Sequence, residues 1–362
     1  MNDVSIYIHI PFCKSICSYC DFCKLLYNEK WIDLYLDSLA KEIKSYNISS
    51  KVKTLYIGGG TPSSLSEKCL EKLFTIINKF NFIKNYEFTF ECNINDINSN
   101  LLNILKKGKV NRLSIGIESF DKNNLKLLNR SCDYIDVKNK ITLCKKFGFN
   151  NINVDLIYAV PNENEKILLN DLNLLTSLDI THISTYSLMI EENTVLYINN
   201  IKPIKEKLDY KMYKIICKFL KEKGFKHYEI SNFAKEGYES KHNLVYWNNE
   251  HYYGFGLGAS GYISNIRYNN TRNLNEYFNG QYLLNKEIIT NEDNLKYGLI
   301  LGLRKINGIN VNNFNEKYHT NLLENEKLKK LIKNKELIYE NNYLFINKKY
   351  IYVQNEILIK LI

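Results

Sequence analysis

The chain has 362 residues, 45% of them hydrophobic and 24% charged, enough for one large buried core plus a smaller unit and far from the composition of a disordered or fibrous protein. Its net charge of +10 arises from lysines interleaved with Asp and Glu along the whole sequence, a solvated surface and not a basic patch, so no nucleic acid is expected as a partner. No apolar run reaches the ~20 residues that cross a bilayer, and Met1-Asn2-Asp3-Val4 lacks the start of a signal peptide; a cytoplasmic location is expected, with any peripheral membrane contact made only through an acceptor protein.

In the first half, short apolar runs alternate with amphipathic segments, the pattern of βα units on a parallel sheet. Strands are expected at Val4–Ile10, Thr54–Ile57, Glu87–Glu91, Arg112–Ile117, Ile152–Ile157 and His182–Tyr186. Between them, helices are expected at Trp31–Ser45, Ser66–Lys79, Asn100–Lys107, Tyr134–Phe147 and Glu163–Leu178; in the second, Leu70, Leu73, Phe74 and Ile77 form a helical stripe behind a polar start. Six units predict an α/β fold, a partial (β/α)6 barrel in place of a closed one of eight, with chemistry at the C-terminal ends of the strands. A long helix over Lys205–Lys223 follows, then an aromatic- and glycine-rich stretch, His227–Ile263. A helix at Asn291–Arg304 and short helices with a hairpin around Tyr343–Lys348 finish the chain. The expected organisation is a barrel over 1–225, an aromatic-rich segment closing it over 226–280, and a small, mostly helical C-terminal accessory domain over 281–362.

Nine cysteines in a cytosolic chain point to free thiols or metal ligands, not disulfides. Cys69, Cys92, Cys132, Cys144 and Cys217 are scattered, but Cys13, Cys17, Cys20 and Cys23 fall in one short loop after the first strand. Cys13-Lys-Ser-Ile-Cys17-Ser-Tyr-Cys20 spaces three thiolates for one face of an iron–sulfur cubane, leaving one iron open to a substrate, whereas electron-transfer clusters use four. S-adenosylmethionine (SAM) fits that position through its amino and carboxylate groups. A structural zinc site with Cys23 as the fourth ligand is the alternative; the spacing differs from paired CxxC knuckles and no second cysteine pair follows. Gly58-Gly59-Gly60-Thr61-Pro62 ends the second strand, and its backbone is free to approach a ligand.

Tyr7-Ile-His-Ile-Pro-Phe-Cys13, Tyr19-Cys20-Asp21-Phe22, and Gly58-Gly59-Gly60-Thr61-Pro62-Ser63 resemble the oxygen-independent coproporphyrinogen III oxidase branch of the radical SAM superfamily, and within it the HemW-like heme chaperones. The resemblance continues through Asn111–Phe120, Val154–Tyr158, His182–Tyr186, Tyr228–Ala234 and His242–Trp247, over essentially the whole chain. It implies a [4Fe-4S] cluster on Cys13, Cys17 and Cys20, and SAM bound by Tyr7, Tyr19, Gly59, Gly60, Thr61, Glu91, Glu118, Arg130 and Asp155. It further implies heme as a ligand, with His242 as its axial ligand; a lone histidine is also read as a hydrogen-bonded core residue. A heme-acceptor protein and a low-potential electron donor are the implied partners. Heme transfer is preferred over radical decarboxylation of coproporphyrinogen propionates, because Asp21-Phe22 follows Cys20 where the oxidases continue Cys-Gly-Cys, and because the first strand begins at Val4 without their longer extension. Departures from the family pattern are Glu118 for Gln, Asn129-Arg130-Ser131-Cys132 for Gly-Arg-x-His, Gly258-Ala259-Ser260 for Gly-Ala-His, and Ile94 for Pro.

Overall fold

The structure is a computed structural model describing residues 3–361; Met1 and Asn2, which belong to the N-terminal stretch read above, and Ile362 lie outside the described residues. Six parallel strands stand side by side in chain order: β1 (Val4–Ile10), β2 (Val52–Gly59), β3 (Phe82–Asn93), β4 (Arg112–Glu118), β5 (Asn151–Tyr158) and β6 (His182–Ser187). The helices α1 (Glu29–Ser45), α2 (Glu67–Ile77), α3 (Ser99–Lys107), α4 (Tyr134–Lys146) and α5 (Glu165–Thr176) connect them, and α6 (Glu206–Glu222) follows the sixth strand. Side-chain caps start the helices: Asn28 accepts from the Trp31 amide and Ser66 from that of Cys69.

The strands are buried on both faces, and their alternation sorts them chemically. One face carries Ile6, Ile8, Ile10, Leu55, Ile57, Phe88 and Phe90, all fully buried in the main core. Each such side chain contributes roughly 1.5–3 kcal/mol by leaving water. The other face is polar: Thr54 and Tyr56, Thr89 and Glu91, Arg112 and Ser114, Asn153 and Asp155, Ser184 and Tyr186. A polar face on a buried sheet has meaning only around a lumen.

Later segments extend the sheet at both edges. The strands β7 (Lys226–Glu229) and β8 (Asn232–Ala234) add antiparallel beyond β6. Beyond β1, β9 (Tyr252–Phe255) adds parallel, followed by the antiparallel meander β10 (Ser260–Ile263), β11 (Ile266–Asn270) and β12 (Leu283–Ile288). Twelve strands thus run in the order β12-β11-β10-β9-β1-β2-β3-β4-β5-β6-β8-β7 among the described residues, an open sheet. Because β12 pairs with β11, the sheet runs past residue 280, where the accessory domain was expected to begin. The short helix α7 (Lys241–Trp247) precedes β9, and α8 (Asn291–Gly302) leads into a small unit of helices around three strands, β13 (Ile309–Asn310), β14 (Leu337–Glu340) and β15 (Tyr343–Ile346). The hairpin expected around Tyr343–Lys348 begins earlier, at Leu337. Asn341 and Asn342, with φ of 49° and 64°, form its two-residue turn, so Tyr343 opens the second arm. No helix among the described residues is long and apolar enough to cross a membrane.

Candidate cluster and cofactor site

The cysteine loop is a closed excursion from the end of β1. Phe12 and Cys13 pair in parallel with Leu25 and Leu26, and the Tyr27 amide donates to the Cys13 carbonyl at 2.9 Å. Gly60 and Thr61 donate their amides to the Ile10 and Phe12 carbonyls, which ties the glycine run to the loop's root. That closeness explains the glycines. A Cβ on Gly60 would lie 2.7 Å from the Pro11 backbone and 2.9 Å from Cys13 Sγ. At Gly59, φ is +117° and a Cβ would lie 2.5 Å from the His9 ring; at Gly58 it would meet the Glu91 carboxyl at 2.6 Å.

Cys13, Cys17 and Cys20 line the mouth of a cavity of about 390 Å³ at the C-terminal ends of the strands, a volume ordinary for a small-molecule site. Tyr19, Gly59, Gly60, Thr61, Glu91, Glu118, Arg130 and Asp155 line the same cavity. Glu91 accepts from the Tyr56 hydroxyl at 2.7 Å and from the Gly59 amide at 2.9 Å. Glu118 stands at a bulge where β4 and β5 slip in register, with φ of 73°, and this turns its carboxylate toward Arg130 at 3.6 Å. Arg130 also donates to the Gly116 carbonyl at 2.6 Å and reaches Cys17 Sγ at 3.8 Å. Burial pushes Glu91 and Glu118 up to about 7 and raises Asp155 as well; hydrogen bonds and the cations Arg112 and Arg130 oppose the shift.

The donor set fits a cluster and SAM. Three thiols share one rim, with Thr61 Oγ1 donating to Cys13 Sγ at 3.5 Å and Arg130 beside Cys17. Burial pushes the Cys13 thiol up to about 11 and raises that of Cys20, so both need positive charge to ionise, as iron provides. Among the described residues, no three His, Cys, Asp or Glu side chains converge closely enough for a single metal ion. A cubane does not ask that of them, since each thiolate binds a different iron. The carboxylates below suit a ligand bearing ammonium and sulfonium charges.

Two expected residues stand elsewhere. Tyr7 lines a second cavity, on the opposite side of the cysteine loop, and its hydroxyl bonds His9 Nδ1 at 2.9 Å. His242 is 1% exposed, with Nδ1 on Thr54 Oγ1 and Nε2 on the Tyr246 hydroxyl, both at 2.8 Å. Both ring nitrogens are therefore occupied, and burial pushes its pKa down to about 3. Of the two readings the sequence offered for His242, an axial ligand and a hydrogen-bonded core residue, these contacts match the second. Glu87 fixes it there by accepting from the Lys241 and His242 amides at the start of α7, and the neighbouring Asn243 faces the cluster-side cavity instead.

Sequence reasoning missed Tyr56, Arg112, Asn153, Ser184 and Tyr186, all of which line the cavity. Their signal was available: polar residues two apart inside strands whose other positions are apolar. Arg112 is only 2% exposed; its Nη1 donates to Thr89 at 3.4 Å and its Nε has no protein partner.

The family model of the Radical SAM superfamily matches residues 7–175. The chain is 38% identical over 347 residues to "Heme chaperone HemW" of Lactococcus lactis, covering 93% of this chain and 91% of that one. It is 40% identical over 335 residues to the Bacillus subtilis protein of the same name, covering 88% of each. Among solved structures, Escherichia coli coproporphyrinogen III oxidase (HemN), a radical SAM enzyme, superposes with a TM-score of 0.87 over 99% of this chain and 90% of that one, at 21% identity, a likeness of fold.

Proposed function

The chain belongs to the HemW heme chaperone family of radical SAM proteins, and from that premise we propose that it binds heme and passes it to an acceptor protein. Its cofactors are those of the superfamily, a [4Fe-4S] cluster and SAM. The observation that carries the reading is identity of 38–40% along about nine-tenths of both chains with proteins named for heme transfer.

Cys13, Cys17 and Cys20 would hold the cluster, and Gly59, Gly60 and Thr61 would hold the methionine end of SAM. Such a cluster supplies an electron to the bound sulfonium. Arg130 holds the Glu118 carboxylate and places a cation beside Cys17, and Glu91 is oriented by Tyr56 and the Gly59 amide. Glu91, Glu118 and Asp155 together present anionic charge where a cationic ligand would sit. The finer reading keeps a low-potential electron donor and a heme-acceptor protein as partners in the cytoplasm.

The test is a hemin titration of anaerobically reconstituted protein followed at the Soret band, with an apo-acceptor hemoprotein added afterwards. Saturable binding and movement of heme to the acceptor are expected. Protein that does not saturate, or that decarboxylates coproporphyrinogen with turnover, would contradict the proposal.

A further inference from the structure

The cluster-side cavity is continuous from the cysteine loop to the floor of the lumen, and its two levels carry opposite chemistry. At the loop's level Arg130 is the cation beside Cys17, held by the Gly116 carbonyl, and SAM's carboxylate meets the open iron there. Arg112 opens β4 four residues before Gly116, so about 13 Å of strand separate it from that level. The floor below is closed by α7, which Thr54 and Glu87 pin beneath β2 and β3, and Asn243 of α7 lines the cavity there with Arg112.

Arg112 is a buried cation without an anion. It is 2% exposed, its Nη1 makes one long hydrogen bond to Thr89 at 3.4 Å, and it forms no ion pair among the described residues. Nε is enclosed by protein, whereas Nη2 keeps contact with the cavity and makes no hydrogen bond among the described residues. Glu91 and Asp155 feel this charge from further off, but Glu91 already accepts from Tyr56 and the Gly59 amide, and Asp155 from Asn153 Nδ2 at 2.9 Å. A guanidinium buried in that state is stabilised by an anion brought to it. Asn243 adds a second open group from another element: its side-chain amide makes no hydrogen bond among the described residues. The two N–H donors suit the two oxygens of a carboxylate.

Resting on the reading of the chain as a heme-binding protein, we propose that the lumen floor is a carboxylate subsite, where Arg112 and Asn243 hold one heme propionate. The way in lies on the side of β6, where Tyr186 and Met189 line the same cavity and are 43% and 68% exposed. Phe22, 63% exposed, completes an apolar rim against which the porphyrin ring rests. The floor takes the carboxylate and not the iron. His182 is bonded through both ring nitrogens, to Asn153 at 2.6 Å and Tyr228 at 2.8 Å, and His242 is bonded through both of its own. SAM's carboxylate is excluded from this subsite because the open iron holds it at the level of the thiols.

The experiment compares hemin with its dimethyl ester, which keeps the ring and iron but has no ionised propionate. Each is titrated at the Soret band into full-length, cluster-loaded wild type, Arg112→Gln and Asn243→Ala, and SAM is titrated separately against the cluster's EPR signal. Wild type is expected to bind hemin about tenfold more tightly than the ester. Arg112→Gln should bind hemin no better than the ester, with its response to SAM unchanged. Asn243→Ala should lose about threefold of the preference, and it carries the test if Arg112→Gln does not fold. Wild type that binds both ligands equally, or variants that keep the full preference for hemin, would overturn the subsite. So would an Arg112→Gln protein that needs more SAM while keeping that preference, since the carboxylate would then be SAM's own. Wild type without saturable hemin binding would instead overturn the heme reading on which the subsite rests.

Discussion

The two sides of the cysteine loop are built from different chemistry. On the barrel side, three thiols meet Glu91, Glu118, Asp155 and Arg112 from the parallel strands and Arg130 from the connection after β4. On the meander side, one thiol meets tyrosines, a neutral histidine and a single arginine. Charge density separates them: the first side suits a charged metal centre and a zwitterionic cofactor, while the second has Arg272 and Asp21 as its charged side chains. The difference teaches that counting cysteines in a motif is less informative than asking which cavity each one faces.

The sharpest break in that comparison comes from the thiols. Replacing Cys13, Cys17 or Cys20 by Ala should abolish iron incorporation and Fe–S absorption, while Cys23→Ser retains both; iron analysis after anaerobic reconstitution decides it. Next, Arg130→Met leaves Glu118, 7% exposed, without its cation, which should cost about 3 kcal/mol in a denaturant melt at pH 8. Adding Glu118→Gln should recover most of that loss. Gly59→Ala forces a side chain into positive φ against the His9 ring and should cost about 2 kcal/mol by the same melt, disturbing both cavities at once, since His9 holds Cys23.

A smaller effect separates structural from functional carboxylates. Glu42 pins α1 to the meander, accepting from the Tyr277 hydroxyl at 2.5 Å, Asn270 Nδ2 at 2.6 Å and the Gly256 amide at 2.9 Å. Burial raises it from 4.5 to about 7, against these hydrogen bonds. The folded state therefore keeps the proton that the unfolded chain has lost, and this contribution to stability, complete below pH 4.5, is lost as pH rises through 7. Other buried carboxylates titrate in the same window, so the comparison with Glu42→Gln isolates it: the variant's stability should fall less between pH 4.5 and 7, by about 1–2 kcal/mol. The smallest effect is expected from His242→Ala in hemin titrations: with both ring nitrogens of His242 taken by Thr54 and Tyr246, saturable binding at the Soret band should persist.

Much of the barrel was legible because its signals are local. Val4–Ile10 forms the strand its alternation announces, and α1 to α5 fall within about two residues of their expected limits because caps such as Asn28 and Ser66 mark where they begin. The meander was not legible. Every residue of Leu283–Ile288 is exposed, so β12 carries no alternation, and its place is set by pairing with β11, which no local pattern encodes. The site divides in the same way. The cysteine and glycine motifs are contiguous and were read directly, whereas Arg112 and Asn153 face the cavity through strand register. The motif around His242 reveals only its neighbours in sequence, and its partner Thr54 lies in a different strand.

The most direct test of the account is to titrate hemin into reduced, cluster-loaded protein with and without saturating SAM, following the Soret band and the cluster's EPR signal. The account predicts saturable hemin binding with the cluster signal retained. Protein that never saturates with hemin would contradict it.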